Sequence, residues 1–498
     1  MSPDDRPGDR PARPRPESVP EIEPQPGRIG VFAGRLLRSS RAATISQVWR
    51  FGVTFGTYVV LRRLLPQSDW GIWDWAQGFF FLLLAQVRDL GLPAHVVRDR
   101  SRPYGNFLAV ELGWGALLAL GIAFAGPLVS LAYAAPGPIV VGVVRALCLF
   151  LILEGLAKVP LIYFEAELLI ERALLPEVVR NLCFAGLSIA LALHGFGVWS
   201  LVIAHVCATG VFAGLLWSRA LPGMSLHWVR GGTWRLVRSS LPLMVMAFLL
   251  LALDWLDVQV LSVRFTDSAL IGRYGGVLFL ALLMPRVLEL PIRRALYPAF
   301  VAVRDEAARF FETYRLATIL LMAVQVPFAL LLFLNARTIL TLLWGAEYAQ
   351  AAPLLRILCF IPLVQPFARC AEDVILARHE ERLLIGASLL SLVSLVGLGL
   401  WLTGPLGPEG MAWAKLLPLG AVPITWAVYR IDPAAFRRLA GELALLYALP
   451  LPLFALAAWA STGHPYLRLG LTLAAGLATG GIYLWRWGRG FLRFFARS

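Results

Sequence analysis

About fourteen runs of some 20 apolar residues divide this chain, and their repetition constrains the fold more than any other feature. A run of that length, formed as a helix, crosses the hydrocarbon core of a bilayer. We place their starts near residues 44, 73, 107, 139, 178 and 198, then 241, 274, 315, 351, 383 and 409, and finally 441 and 466. The sequence therefore predicts an all-α polytopic membrane protein.

The composition agrees with a membrane protein. The 498 residues are 58% hydrophobic and only 15% charged, and the mean hydropathy is +0.71, which is outside the range of soluble globular domains. The net charge of +14 would suggest nucleic acid as the partner of a soluble protein. Here the arginines lie between apolar runs, where loop charge sets membrane orientation, so no nucleic-acid partner is expected.

The basic residues concentrate in alternate connections between the apolar runs. By the positive-inside rule these connections and both termini are cytoplasmic, and residues 1–40 form a disordered basic, Pro-rich cytoplasmic tail. Arg62 and Arg63 are exceptions, because they close the first run at the predicted external end. The cytoplasmic arginines are Arg35, Arg38, Arg41, Arg98, Arg100, Arg102, Arg230, Arg235, Arg238, Arg304, Arg309, Arg378, Arg382, Arg437, Arg438, Arg489, Arg493 and Arg497.

The chain also repeats itself. The motif DWGIW at 69–73 opens the second run, and LIGRY at 270–274 opens the eighth; GFGVW at 195–199 corresponds in the same way to GPEGMAW at 407–413. This repeat predicts two six-helix lobes, an N-lobe at 41–220 and a C-lobe at 221–430, related by a pseudo-twofold axis along the membrane normal with a site between them. Residues 431–498 supply two further helices and a basic cytoplasmic C-terminus.

Ionisable residues follow single helix faces inside the apolar runs. Asp257 and Arg264 lie seven residues apart, and Arg286, Glu289 and Arg293 follow at spacings of three and four. A charge in a spanning helix is costly unless it faces protein or water, so these stripes favour a ligand or ion pathway. Two structural alternatives stay open: Asp257 pairs only with Arg264, and Arg293 lies at the cytoplasmic boundary.

Further polar stripes occur in both halves, and together they predict one aqueous cavity. For Arg88 and Arg369, placement at the membrane interface is an equal alternative. Cysteines and histidines lack metal-ligand spacing, and we find neither an Asp-x-Asp motif nor a long external loop, so no metal and no enzymatic activity are predicted. The stripes are Gln47 with Arg50, Asp74 with Gln77 and Arg88, and Gln365 with Arg369, Glu372 and Asp373.

Several motifs resemble those of bacterial Wzx-type polysaccharide flippases over roughly residues 41–430. They are LLPQSDWG at 64–71, DWLD at 254–257, IGRY at 271–274, PAF at 298–300, LWGAEY at 343–348 and AAPLLRIL at 351–358. Ile271 stands where the family more often has leucine. The resemblance implies the multidrug/oligosaccharidyl-lipid/polysaccharide (MOP) transporter fold in the bacterial cytoplasmic (inner) membrane. It also implies that polyprenyl-pyrophosphate-linked oligosaccharide moves from the cytoplasmic to the external leaflet by alternating access.

That cargo suggests roles for the charged stripes. Arginine binds phosphate bidentately and stays charged, so the predicted pyrophosphate-binding residues are Arg50, Arg286, Arg293, Arg88, Arg369 and Gln47. The acids Asp254, Asp257, Glu289, Glu372 and Asp373 either hold the empty arginines or bind a coupling proton or sodium ion; no other cofactor is expected. Trp73, Trp75 and Tyr274 would meet sugar at the external mouth or form an interfacial belt.

The resemblance also implies partners, namely membrane lipids, a polysaccharide polymerase and the chain-length machinery. Two other transport functions stay open at this point. A lipid II flippase would share the number of spans and the cationic cavity. A drug or cation antiporter of the MATE type would share the fold, but its cavity should favour acids over arginines.

Overall fold

The structure, a computed structural model, describes residues 49–79, 103–130, 137–167, 169–230, 232–287, 300, 306–378 and 380–497. All regular secondary structure in these ranges is helical. In the first half, residues 49–64 are helical (α1) and are followed by α2 (Gln67–Phe79), α3 (Tyr104–Ser130), α4 (Pro138–Ala166), α5 (Glu171–Leu193) and α6 (Val198–Ala220).

The second half repeats this order. It comprises α7 (Gly232–Arg264), α8 (Ser268–Ala281), α9 (Ala307–Trp344), a 3₁₀ turn (Ala346–Ala351), α10 (Ala352–Leu358), α11 (Ile361–Ala377), α12 (Glu381–Leu406), α13 (Pro408–Leu416) and α14 (Ala421–Ile431). The last helices are α15 (Pro433–Ala448), α16 (Leu451–Ala460) and α17 (Pro465–Arg497). Among the described residues, 10 segments are long and apolar enough to cross a membrane.

The turns of the repeat match as well as its helices. Gly197 precedes α6 with φ +56°, and Gly407 precedes α13 with φ +61°. Only glycine adopts this left-handed region without strain, which explains why both loops keep a glycine at this place. The predicted fold class is confirmed: the described residues form an all-helical protein with two lobes and two further C-terminal spans, one made of α15 and α16 and one of α17.

The lobes meet where α2 crosses α8, and the contact is reciprocal about the pseudo-twofold. A Cβ on Gly71 would overlap the carbonyl oxygen of Ser268, and a Cβ on Gly272 would overlap the carbonyl oxygen of Gln67. Gln67 and Ser268 each lie four residues before the glycine of their own helix. Any larger residue at either glycine would therefore force the two helix backbones apart.

The aromatic residues of this crossing are buried, which contradicts the prediction that they lie at an external mouth or in an interfacial belt. Trp73, Trp75 and Tyr274 are 0% exposed. Trp73 packs edge-on against His205 of α6 at 5.5 Å, and Tyr274 donates a hydrogen bond to Asp257. They belong to the core because the close α2–α8 contact covers the helix faces that carry them.

Polar contacts attach the C-terminal helices to α9 of the C-lobe. Nη1 of Arg315 on α9 donates to both carboxylate oxygens of Glu442 on α15, at 2.6 and 2.8 Å. Asn335 interrupts the helical geometry of α9 and donates to the Thr472 hydroxyl of α17 at 2.8 Å. Such interhelical bonds stabilise packing where no aqueous solvent competes, so α15 and α17 brace α9.

Candidate substrate cavity and inter-lobe seal

A buried carboxylate ties three helices of the C-lobe together. The Asp257 side chain on α7 is 0% exposed and accepts hydrogen bonds from Lys415 Nζ of α13 at 2.7 Å and Tyr274 Oη of α8 at 2.8 Å. Lys415 also donates to the main-chain oxygen of Asp254 at 2.9 Å. A buried charge with a cation and a hydroxyl partner meets the conditions under which such groups are tolerated.

A second group of charges lies beside it. Arg369 of α11 bridges Asp254 at 3.3 Å and Glu372 at 3.2 Å. These residues and Lys415 line a cavity between α7, α11, α12 and α13, with about 130 Å³ of room for water-sized molecules. Ligand pockets for drug-sized molecules are roughly 300–1,000 Å³, so this cavity can hold a few waters or an ion, but not an oligosaccharide.

Arg286 lies between the lobes. It follows α8 and is exposed, although most residues from Ile271 to Pro285 are buried. It lies within electrostatic range of Asp254 and Asp257 of the C-lobe and of Asp74 and Tyr58 of the N-lobe. Arg286 is therefore an exposed cation placed between acids of the two lobes.

Arg50 belongs to a different ion pair. Its side chain is 46% exposed and lies 3.4 Å from Glu177 of α5, so its described ion-pair partner is in the N-lobe. Asp373 is buried and Glu372 nearly so. The structure therefore brings Asp254, Asp257, Arg286, Arg369 and Glu372 together. Gln47, Arg88, Glu289 and Arg293 lie outside the described residues, and their roles stay predictions.

The alternative that Asp257 pairs with Arg264 is wrong. Seven residues separate the two, about 10 Å along the helix axis, which is too far for an ion pair. Arg264 is exposed at the end of α7, whereas the cation at Asp257 is Lys415. Spacing on one face made the pair plausible, but the tertiary neighbour from α13 determines the contact.

Arg62 forms an inter-lobe seal, which we define as the contacts of its guanidinium. Nη2 binds Asp74 of the N-lobe at 3.0 Å, and Nη1 donates to Gly272 O at 2.9 Å and to Tyr348 Oη at 3.1 Å in the C-lobe. The side chain is 0% exposed. Trp70 and Trp344 rings lie 4.2 and 5.3 Å from the guanidinium carbon, within the range of cation–π attraction.

Glycines on α8 make room for this seal. A Cβ on Gly276 would come within 2.5 Å of Arg62 Nη1, and one on Gly275 would overlap Asp74. The neighbouring Arg63 donates from Nε to Leu343 O at 2.8 Å and also binds Leu342 O, at the end of α9. Both arginines that broke the predicted charge pattern therefore join α1 to the C-lobe instead of facing the cytoplasm.

A different contact joins the lobes at the opposite ends of the helices. The Asn106 side chain of α3 is buried, accepts a hydrogen bond from Val229 N at 2.6 Å, and donates to Val229 O and Thr233 Oγ1, each at 3.0 Å. Val229 and Thr233 flank the start of α7. Asn106 therefore fixes the connection between the lobes.

Sequence reasoning missed Lys415, Tyr348 and Asn106, and it noted Arg62 only as an exception. The sequence does single out Lys415, because it is one of two lysines in a chain with 45 lysines and arginines. It also singles out Arg62, since a cation at the predicted external end of a span needs a partner. It does not single out Tyr348 and Asn106, because their partners are distant in sequence.

These features define a class of protein, a two-lobed helical membrane transporter with charged groups in its interior. The chain belongs to the family described as "Polysaccharide biosynthesis protein", whose profile matches residues 60–353, more than half of the sequence. The resemblance to Wzx-type flippases is confirmed at the level of this family. No curated protein matches significantly.

Solved structures support the same fold. The chain is similar to the lipid II flippase MurJ in an inward closed conformation, with a TM-score of 0.69 at 12% identity over 92% of this chain and 100% of that one. It is similar to an inward-facing multidrug resistance MATE transporter of the MOP superfamily, with a TM-score of 0.61 at 14% identity over 81% of this chain and 98% of that one. A third similar structure is the MATE multidrug transporter DinF-BH in complex with R6G, with a TM-score of 0.59 at 19% identity over 81% of this chain and 96% of that one.

Proposed function

We propose that this protein is a flippase for polyprenyl-pyrophosphate-linked oligosaccharide, which it moves from the cytoplasmic to the external leaflet for cell-surface polysaccharide biosynthesis. The position of Arg286 between the lobes is the observation that carries the proposal. We place the protein in the bacterial cytoplasmic membrane with both termini cytoplasmic, as the arginine distribution predicts.

Arg286 suits a lipid pyrophosphate because it is an exposed cation that follows a mostly buried helix, α8. An anionic headgroup that crosses the membrane needs a fixed cation in a wet cavity, and arginine offers two parallel N–H donors to a phosphate. Arg50, Arg293, Arg88, Arg369 and Gln47 are the further candidates. Three carboxylates near the cavity have cation partners, Lys415 for Asp257 and Arg369 for Asp254 and Glu372, which favours an anionic over a cationic cargo.

The inter-lobe seal supports a direction of entry. Arg62, Gly71 and Gly272 join the lobes at one end, the predicted external one, so the space near Arg286 would open toward the cytoplasm in this state. A lipid-linked glycan made on the cytoplasmic side would enter there. Rocking of the lobes would then expose it to the other side.

Coupling to an ion is part of the proposal. Asp254, Asp257, Glu372 and Asp373, with Glu289, either hold the arginines in place or bind a proton or sodium ion during the cycle. Within the described residues no cluster of three or more His, Cys, Asp or Glu side chains could hold a metal ion. Measuring flux under imposed proton and sodium gradients separates the two roles.

The test is a flipping assay in proteoliposomes with a fluorescent polyprenyl-pyrophosphate oligosaccharide. We expect Arg286→Ala to nearly abolish flux at normal protein level, because one charge-assisted hydrogen bond is worth about 1.5–3 kcal/mol, roughly ten- to a hundredfold in binding. Arg286→Lys should recover part of it. Arg309→Ala, at an exposed site near the start of α9, is the matched control.

Two parallel substrates separate this function from the alternatives. Lipid II in the same assay tests the peptidoglycan precursor, and rhodamine 6G efflux tests a cationic drug. If either is transported while the oligosaccharide is not, the proposed cargo is wrong. If Arg286→Ala flips oligosaccharide as well as the parent does, the cationic-cavity mechanism is wrong.

A further inference from the structure

An open polar groove lies beside the inter-lobe seal, outside the cavity discussed above. It occupies about 690 Å³ between the start of α2, the last turns of α9 and the segment from the 3₁₀ turn into α10. Gln67, Arg337, Glu347, Gln350 and Arg356 supply its polar lining. A volume of this order lies within the range of small-ligand sites and is large enough for a disaccharide.

Two cations and one acid define the charge of the groove. Arg337, Arg356 and Glu347 are all exposed, and no ion pair joins any of them to another described residue. Guanidinium groups prefer planar anions such as carboxylates, and the Glu347 carboxylate accepts hydrogen bonds from hydroxyl groups. The lining therefore matches a hydroxyl-rich ligand with one negative charge.

Gln67 lines the groove at the start of α2. Its residue is only 8% exposed, and Oε1 accepts a hydrogen bond from Arg273 Nη1 at 3.3 Å. Nε2 is buried and has no hydrogen-bond partner among the described residues.

We propose that the groove binds an acidic sugar of the transported glycan on the external side, which deepens the function proposed above and rests on it. The position suits a glycan leaving the space between the lobes. Gln67 packs its carbonyl against Gly272, and Glu347 and Gln350 flank Tyr348, which binds Arg62. A phosphate alone, or a lipid phosphate, carries no array of hydroxyl groups for Glu347 and Gln350 and could use little of the mixed lining.

The test uses the full-length protein in nanodiscs and two soluble probes, a disaccharide of glucuronic acid with N-acetylglucosamine and neutral diacetylchitobiose. Saturation-transfer NMR titrations should show saturable binding of the acidic probe and weaker binding of the neutral one. The double variant R337Q/R356Q should weaken the acidic probe by at least about tenfold, because two charge-assisted bonds are lost. Arg309→Gln, at an exposed site outside the groove, should leave binding of the acidic probe unchanged.

A second measurement places the groove. A single cysteine at Gln350, in a background without native cysteines, should react with an impermeant maleimide added outside intact cells, and the acidic probe should slow that reaction. The proposal is overturned if the acidic probe shows no saturable binding. It is also overturned if the affinity for that probe is the same in the parent and in R337Q/R356Q. Displacement of the probe by inorganic phosphate or phosphatidylglycerol vesicles at equal anion concentration overturns it as well, since that would indicate a lipid headgroup.

The outcomes also separate this proposal from the flippase function. A parent that flips lipid-linked oligosaccharide while the groove binds no acidic sugar refutes only the groove. A parent that binds the disaccharide in the groove but flips no lipid-linked oligosaccharide refutes the flippase function, and the groove is then not an exit site.

Discussion

Lys415 and Asp257 are each other's charge partner inside the C-lobe, and the consequences of losing one differ from those of losing both. The Lys415 side chain is 9% exposed and that of Asp257 is 0% exposed. In such a place a lone charge has neither water nor a counter-charge. Tyr274 can donate to either a carboxylate or a neutral amide at position 257, so the neutral pair keeps a hydrogen bond.

We therefore expect Lys415→Met to destabilise the protein by roughly 3–5 kcal/mol and to lower the amount of folded protein. The double variant D257N/K415M should recover most of that loss, because neither charge is left alone. Thermal unfolding in detergent and quantitative expression measure both effects. Arg264→Ala is the control and should change stability by less than about 0.5 kcal/mol, since Arg264 is exposed. Equal losses for the single and double variants would contradict the pairing.

Arg62 is the residue on which the seal depends. Arg62→Lys keeps the charge but loses the fork that reaches Asp74, Gly272 and Tyr348 together. Losing one such bond, worth about 1.5–3 kcal/mol, should raise the ratio of open to closed protein at this end about tenfold or more. Spin labels at Phe196 and Thr266, both exposed, should then report a longer distance population. An unchanged distribution would mean that Arg62 does not hold the seal.

At the scale of helices, the crossing of α2 and α8 shows what local sequence can and cannot predict. The motifs at 69–73 and 270–274 correctly indicated helix starts and an internal repeat. They did not indicate that Gly71 and Gly272 lie against each other, because helical periodicity describes one helix and contains no information about its partner. The burial of Trp73, Trp75 and Tyr274 follows from that same contact and was mispredicted for the same reason.

We expect Gly71→Ala and Gly272→Ala to separate the lobes at this crossing, because each new Cβ overlaps a carbonyl of the opposite helix. The same spin-label pair should show a broader and longer distance distribution, and protein level should fall less than for Lys415→Met. Gly56→Ala on α1 is the matched control, since its Cβ would meet nothing within 4 Å and alanine favours a helix by about 1 kcal/mol. Identical distributions for all three variants would rule out the proposed packing.

At the scale of the whole molecule, the all-helical, two-lobed fold followed from hydropathy and the repeat, because burial in lipid demands long apolar helices. Of the about fourteen spans predicted, 10 are seen among the described residues. The site followed only in part. The stripes predicted one cavity for Asp257, Arg369 and Glu372, and these residues lie close together, but the pairing of Asp257 depends on Lys415 of α13. Residues 62 and 348 are far apart in sequence, and only the packed lobes bring Arg62 to Tyr348.

Two lobes that alternate about a shared axis cannot function when they are locked together. Gln67 of α2 and Arg273 of α8 lie in opposite lobes, with Oε1 and Nη1 3.3 Å apart. Cysteines at both positions, joined by a short reducible cross-linker, should stop oligosaccharide flipping in proteoliposomes, and reduction should restore it. Each single-cysteine variant treated in the same way should keep its flipping activity.

A control cross-link between cysteines at Arg315 and Glu442 joins α9 to α15 without bridging the lobes. It should leave the flux near that of the reduced form. Full flux through completely cross-linked Q67C/R273C would exclude transport by separation of α2 from α8.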